Sequence, residues 1–458
     1  MRNPLYWVVR CRTIFTAVAG FAAVFALASP NGAAARTTFN VLHPFCAKAS
    51  CADGSTPEYG LVAGADGIFY GTTPFGGSGD SGVVYALTPN GTGYDYSVLY
   101  RFCSVSACAD GVTPESPPVV DSSGNLYGTT ELGGAHNRGV LFELMPNADR
   151  TKWKEVVRYS FCPGASNPCA DGQYPSGPLT YPGAETGAPY DGASALYGTT
   201  GFGGSGNAGG GAGVVFRISP VAGQTKWKEK VIYDFCSQPN CTDGSAPMGG
   251  VIIDARGHLF GTTVNGGNHS PSGLGTVFEI NPQRQTETVL YAFCAQTPCV
   301  DGLNPEGALV FDAKGRLVGT TQNGGATGQG ALFRVNPKTR SEVVLWNFCG
   351  APGCTDGAQP GAGVTVAPND VLFGTTQYGG AYASSNCDNT SLGCGTLYRL
   401  RNSKLTILQS FCKAGLPDCA SGAEPPAGML LRNASGSLFG VTKGAGINGR
   451  GTLFELTP

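Results

Sequence analysis

Residues 98–144 read VLYRFCSVSACADGVTPESPPVVDSSGNLYGTTELGGAHNRGVLFEL, and this stretch recurs in variant form from residue 39 to the end of the chain. It contains short runs rich in Val, Leu, Tyr and Phe, bounded by Gly, Asp, Asn and Pro, and nothing long enough to be a helix. In this copy the runs predict strands at Pro118–Asp121, Asn125–Thr130, Val140–Leu144 and Val156–Phe161. Alternation such as Val157, Tyr159, Phe161 gives each strand one face to bury. The GTT element or a near copy begins at Gly71, Gly128, Gly198, Gly261, Gly319, Gly374 and Gly440, making seven copies 55–70 residues apart. Four antiparallel strands in each of seven repeats predict an all-β fold, a seven-bladed β-propeller.

A solenoid of the same repeats would carry distinctive capping ends. Here the repeat region starts with Phe39–Phe45, equivalent to a fourth strand, and finishes with Leu453–Leu456, equivalent to a third. The first segment can therefore complete the last blade, closing the ring and removing free sheet edges. The blades are expected at about 56–102, 113–161, 174–235, 247–293, 304–348, 359–411 and 424–458, the last completed by 39–45. The Asp-x-x-Gly runs at Asp121–Gly124, Asp254–Gly257 and Asp312–Gly315 suit tight hairpins, with the aspartate bonding local amides and the glycine taking positive φ.

Composition agrees with a turn-rich exported protein. Of 458 residues 71 are glycine, and charged residues make up 13% against a usual share of about 25%. Residues 1–35 read as a signal peptide: Arg2, Arg10 and Arg12 precede the apolar run Ile14–Ala28, and Ala33–Ala35 supply small residues for cleavage. That run falls short of the roughly 20 residues needed to span a bilayer, so no membrane span is expected after cleavage. Residues 36–458 then form one propeller domain. Losing three arginines from 29 basic residues leaves 26 against 31 acidic ones, a net charge of −5 with no basic tract, so nucleic acid is excluded as a partner.

Beyond Cys11, the cysteines fall into eight close pairs: Cys46/Cys51, Cys103/Cys108, Cys162/Cys169, Cys236/Cys241, Cys294/Cys299, Cys349/Cys354, Cys387/Cys394 and Cys412/Cys419. Zinc sites usually space cysteines two to four apart and combine two such pairs, whereas these pairs stand alone along the chain with only four histidines among them. The pairs therefore predict local disulfides, a secreted or periplasmic location, and no metal or cofactor.

With four strands running outward from an axis, the Cys-containing loops and the GG loops that follow GTT emerge on one face, where propellers generally bind ligands. An aspartate recurs in the Cys loops, at Asp53, Asp110, Asp171, Asp243, Asp301 and Asp356, with Ser421 in the seventh. A carboxylate ring could hold cations or sugar hydroxyls, but a residue present in nearly every blade serves what every blade needs, here an Asp-Gly turn. Residues that differ between blades are better ligand-binding candidates. Glu58, Glu115 and Glu306 follow the loop proline in three blades, where the others carry Ser176, Met248, Gly361 and Pro426. They could bind a cation or act as an acid/base pair, or be solvated residues of the channel lip. Phe75, Phe202 and Tyr378 share one slot before GG and are either sugar-stacking platforms or packing. His136, Asn268, His269, the Gly203–Gly213 stretch and the sixth-blade insertion Ala381–Gly395 complete the unusual features of this face. On the opposite face TKWKE occurs at Thr151–Glu155 and Thr225–Glu229, expected to shape a hairpin with Trp153 and Trp227 shielding the blade edge.

No catalytic residue is assigned. GAGING at Gly444–Gly449 and GFGGSG at Gly201–Gly206 match a dinucleotide fingerprint, but each joins two strands and opens no helix, and GxSxG, P-loop and HExxH motifs are lacking. Asn240, Asn389 and Asn433 begin glycosylation-like triplets that carry little meaning in a bacterial-looking protein.

The repeated LYGTT, GG and VFEL elements resemble those of the GloVer-type, choice-of-anchor tandem-repeat proteins secreted by bacteria. The resemblance covers nearly all of the chain after residue 35 and implies export and a propeller-like fold. It implies no activity and transfers no catalytic residue. Anchored members end in a sorting segment that this sequence lacks, which implies free release or periplasmic residence. The expected function is a monomeric, non-catalytic scaffold binding a glycan or an extracellular protein. The alternatives are a polysaccharide hydrolase or lyase using carboxylates at the channel mouth, and a structural component of the cell envelope.

Overall fold

The glycine that opens each GTT triplet has no room for a side chain. A Cβ on Gly71, Gly128, Gly198, Gly261, Gly319, Gly374 or Gly440 would stand 2.4–2.7 Å from the ring or phenol oxygen of Tyr85, Phe142, Phe216, Phe278, Phe333, Tyr398 or Phe454, respectively. Each of these rings is the cross-strand partner of its glycine, and all are fully buried. The ring lies over the bare backbone, so the glycine is a packing requirement rather than a turn. The second threonine of the triplet ties the blade together. Thr130 Oγ1 donates to the carbonyl of Leu132 at 2.8 Å and accepts the amide of Val140, the first residue of the next strand, at 3.3 Å. The same pair of bonds recurs at Thr200, Thr376 and Thr442.

The computed structural model describes residues 37–458 apart from 165–167, 207–210, 268–273, 383, 386, 388–390, 413–418 and 427. The signal-peptide expectation for residues 1–35, Asn268 and His269 lie outside the described residues. Seven four-stranded antiparallel sheets make up the fold. In the second blade the strands are Val119–Val120, Leu126–Thr130, Val140–Pro146 and Trp153–Ser160, innermost to outermost. The innermost strand is short because prolines and glycines crowd it; only in the third blade does it run longer, as Gln173–Thr180.

Thr38–Pro44 pairs antiparallel with Thr452–Thr457, setting Phe39 opposite Leu456, so the first strand is the outer strand of the seventh blade. The core lies between successive sheets. Tyr70, Val84 and Ala86 of the first blade pack with Leu126, Phe142 and Leu144 of the second, and Phe69 and Tyr85 pack with Phe439 and Leu453 of the seventh.

One backbone latch joins every neighbouring pair of blades. The amides of Thr56, Thr113, Tyr174, Ala246, Asn304, Gln359 and Glu424 donate across the junction to the carbonyls of Arg450, Ser81, Arg138, Ala212, Leu274, Gln329 and Cys394 at 2.8–3.1 Å. Each donor residue is held at φ of 52–61°, left-handed without being glycine. The proline that follows presses its ring on a glycine of the blade before, such as Pro114 on Gly82 and Pro57 on Gly451, where an added Cβ would lie 2.5–3.0 Å from the proline Cδ.

The TKWKE expectation holds for the hairpin, whose turn between Pro146 and Trp153 contains Thr151 and Lys152, and is corrected for the tryptophans. Trp153 opens the fourth strand of its blade, and both tryptophans face inward across a junction. Trp153 meets Tyr70 and Trp227 meets Tyr127 of the preceding blade, with ring centroids 6.4 and 5.7 Å apart. Large amphipathic rings fill a wedge between splayed sheets better than they cover an edge.

Candidate functional site at the channel mouth

The Cys loops and GG loops do share a face. The amides of Gly77, Gly134, Gly204, Gly267, Gly325, Gly380 and Gly446 donate to the carbonyls of Cys51, Cys108, Cys169, Cys241, Cys299, Cys354 and Cys419 at 2.8–3.1 Å. Disulfides close all eight expected pairs.

The repeated aspartates turn inward. Asp110 is 1% exposed and accepts the Ser104 amide and the Tyr100 hydroxyl at 2.9 and 2.8 Å. Asp243 and Asp301 repeat this with Tyr233 and Tyr291, and Asp171 with Tyr159 and the Cys162 amide. At the ring-closing junction His43 takes the tyrosine's place: its Nε2 lies 2.9 Å from Asp53 Oδ2, and its ring stacks on Tyr96 at 3.7 Å. Burial outweighs the aspartate and lowers the histidine pKa. Ser421 holds the Cys412 amide in the seventh loop. These carboxylates are spent on the loop that carries them.

The glutamates behave differently. Glu58, Glu115 and Glu306 come from the first, second and fifth blades, yet all three charges bear on one hydroxyl, that of Tyr59. Glu131, from the slot after GTT in the second blade, joins them. Burial first, and then these four carboxylates, raise the Tyr59 pKa, so its hydroxyl stays protonated. Glu115 is pushed up to about 8, chiefly by burial, then by the charges of Glu131 and Glu58 and a hydrogen bond with Glu131. Burial raises Glu58 despite Lys443 nearby, and burial alone raises Glu306. Glu58, Tyr59 and Glu306 line a cavity of about 280 Å³ together with Gln322, Gln377 and Lys443. Beneath it the innermost segments meet backbone to backbone: a Cβ on Gly60 would lie 2.0 Å from the Met429 carbonyl. The mouth is thus a polar cup of donors and acceptors suited to hydroxyls or an ammonium group.

Sequence reasoning misses Glu131, Gln322, Gln377 and Lys443. They occupy one slot, with Pro74, Gly201 and Val264 in the other blades, and the blade-to-blade variation that singles out Glu58 marks them equally.

Of the aromatics, Phe75 and Phe202 do not line the cup, while the Tyr378 hydroxyl touches its wall by accepting from Gln377 Nε2 at 3.2 Å. Phe75 and Phe202 are 42% and 48% exposed and Tyr378 is partly buried, on the first, third and sixth blades with at least one blade between any two. Phe202 meets the edge of Tyr174 at 6.0 Å, and Arg138 lies over that tyrosine ring and hydrogen-bonds its hydroxyl. His136 is exposed on the second-blade loop.

The model of the Gloeobacter/Verrucomicrobia repeat matches residues 20–190 and 182–387. The chain belongs to the Gloeobacter/Verrucomicrobia repeat family. The repeat continues beyond the match, since Gly440 and Phe454 repeat the buried glycine–aromatic pair. No curated protein sequence matches this Gloeobacter/Verrucomicrobia repeat chain. Among solved structures it is similar to a puromycin-hydrolysing peptidase of Mycobacterium tuberculosis, at 11% identity and TM-score 0.37, covering 89% of this chain and 62% of the peptidase. A putative oxidoreductase (glucose dehydrogenase) of Thermus thermophilus matches at 12% identity and TM-score 0.39, covering 92% and 99%. The polysaccharide lyase Uly1 matches at 11% identity and TM-score 0.48, covering 88% and 90%. Identities and scores this low transfer no activity. Eight disulfides indicate an oxidising compartment, and among the described residues no helix is long and apolar enough to cross a membrane.

Proposed function

We propose that this protein, exported through residues 1–35 as a single-domain propeller, is a binding scaffold that seats a sugar in the polar cup at its channel mouth. One observation carries the reading: the residues that vary between blades converge there from different blades, while the residues common to the blades are spent on the fold. A cup of about 280 Å³ suits one hydroxyl-rich ring rather than a long polymer segment. Carboxylates and amides at Glu58, Glu306, Gln322 and Gln377 would accept and donate to its hydroxyls, and the protonated Tyr59 would donate from the floor. Exposed Phe75 and Phe202 would extend contact outward to further rings. A glycan array probed with the purified protein tests this. Binding that weakens about tenfold in Glu306→Gln or Gln322→Ala, with unchanged melting, supports it; an array without signal overturns it.

A second reading rests on Glu115. A carboxyl held protonated near neutral pH beside the partner carboxyl of Glu131 is suited to general acid catalysis on a glycosidic bond. Release of reducing ends from a bound polysaccharide, abolished in Glu115→Gln, would favour the hydrolase or lyase over the scaffold.

A further inference from the structure

Seven of the eight disulfides sit in the junction loops, one per junction; the eighth, Cys387–Cys394, lies in the sixth-blade insertion. The latch places that insertion against the next junction, because the carbonyl of Cys394 itself accepts the Glu424 amide at 2.8 Å. As a result the sulfurs of Cys387, Cys394 and Cys412 lie within 4.8 Å of one another, and Cys412 is bonded to Cys419. All four cysteines are at most 5% exposed. Among the described residues no other three cysteine, histidine or carboxylate ligand atoms gather so closely. Two pairs that look isolated along the chain are therefore neighbours across the junction, three of their sulfurs clustered and the fourth, that of Cys419, bonded to Cys412.

The surroundings also differ from those of the other junctions. The 412–419 loop is followed by Ser421 where the other six loops carry an aspartate, and its hydroxyl accepts the Cys412 amide at 3.0 Å. The Ser384 hydroxyl, from the insertion, lies 3.5 Å from Cys419 Sγ, a distance at which it can donate to a thiolate.

We propose that Cys387, Cys394, Cys412 and Cys419, when reduced, form a tetrathiolate site for a soft divalent metal such as zinc. The junction of blades six and seven then has two mutually exclusive states, metal-bound and doubly disulfide-bonded. A zinc–sulfur distance of about 2.3 Å sets tetrahedral sulfurs about 3.8 Å apart, so the two sulfurs of each pair separate once their bond is reduced, while Cys412 already lies within 4.8 Å of Cys387 and Cys394. Thiolate is the preferred ligand for such a metal, and burial excludes competing water. Passage to the disulfide state needs an external disulfide oxidant. The four metal-bound thiolates give up four electrons to form two S–S bonds and release the metal ion. Two oxidant disulfides accept those electrons and, with four protons, leave as four thiols.

The test uses the full chain expressed in a reducing cytoplasm with zinc present. Native mass spectrometry is expected to show one zinc per folded chain, lost in Cys387→Ser and in Cys412→Ser but kept in Cys103→Ser, whose pair is isolated. A folded, zinc-free wild-type chain with free thiols overturns the proposal, as does zinc retained in Cys387→Ser. Should the reduced chain not fold alone, zinc added during refolding is expected to restore native circular dichroism in wild type and not in Cys387→Ser. Failure of that rescue overturns the proposal equally.

Discussion

A single hydrogen atom decides whether a blade can form around its GTT triplet. At Gly128 a Cβ would stand 2.5 Å from Phe142 Cζ, and the fully buried ring has nowhere to retreat. Gly128→Ala is therefore expected to cost about 1–3 kcal/mol in urea unfolding, as overpacked cores do. Gly164→Ala, whose Cβ meets nothing within 4 Å, should change little. Residues of this kind were legible in the sequence because every blade repeats them: the glycine, its aromatic cover and the loop aspartate each answer a local need seven or six times. The cup was half legible. Glu58, Glu115 and Glu306 stood out by varying in a repeated frame, but their convergence on Tyr59 depends on the closed ring, and Glu131 and Lys443 hid directly behind the repeated GTT element. The cluster at Cys387 and Cys412 escaped notice because proximity across a junction leaves no trace in spacing.

At the scale of the element, the strand Thr38–Pro44 has most to lose. It covers the edge of Thr452–Thr457 and brings His43 and Phe45 into the junction with the first blade. Removing residues 36–45 leaves that edge unpaired and opens the junction, so the truncated chain is expected to melt lower and to associate. Size-exclusion chromatography with a thermal melt checks this; an unchanged monomer with unchanged melting would contradict the closure. The strand was readable because its pattern is out of phase with the end of the chain. The misreading of the two TKWKE tryptophans shows the limit of the same logic. A hairpin and the start of a strand share their residues, and only the splay between sheets reveals that Trp153 and Trp227 are wedges.

At the scale of the whole molecule, four of the seven junctions share one electrostatic design. Glu155, Glu229, Glu287 and Glu342 each leave a buried carboxylate oxygen without a partner. Burial first, then Asp110, Asp171, Asp243 and Asp301, raise them to about 7, 8, 8 and 7 respectively. In the unfolded chain the same groups titrate near the ordinary glutamate value of about 4.3. Between that pH and about 8 the folded protein keeps protons that the unfolded chain has released, so stability falls as pH rises through this window and levels off above it. Melting at pH 8.5 is expected to lie several degrees below melting at pH 5, in the manner of a ΔΔG on the order of 1–2 kcal/mol. Replacing the four glutamates by glutamine should flatten the slope, and a slope that survives the replacement would place its origin elsewhere.

The latch that holds these junctions asks its donor residue for an amide and a left-handed φ, and for nothing from the side chain. Thr56, Thr113, Tyr174, Ala246, Asn304, Gln359 and Glu424 accordingly make the same bond with six kinds of side chain. Mechanical coupling and chemical character are thereby separated at one position, repeated around the face that carries the Cys and GG loops. At its partly exposed members, Thr56, Tyr174, Ala246, Asn304 and Gln359, such a rim can drift in charge, size and aromaticity while the ring stays shut, so new surface properties can arise there by single substitutions that leave the latch intact.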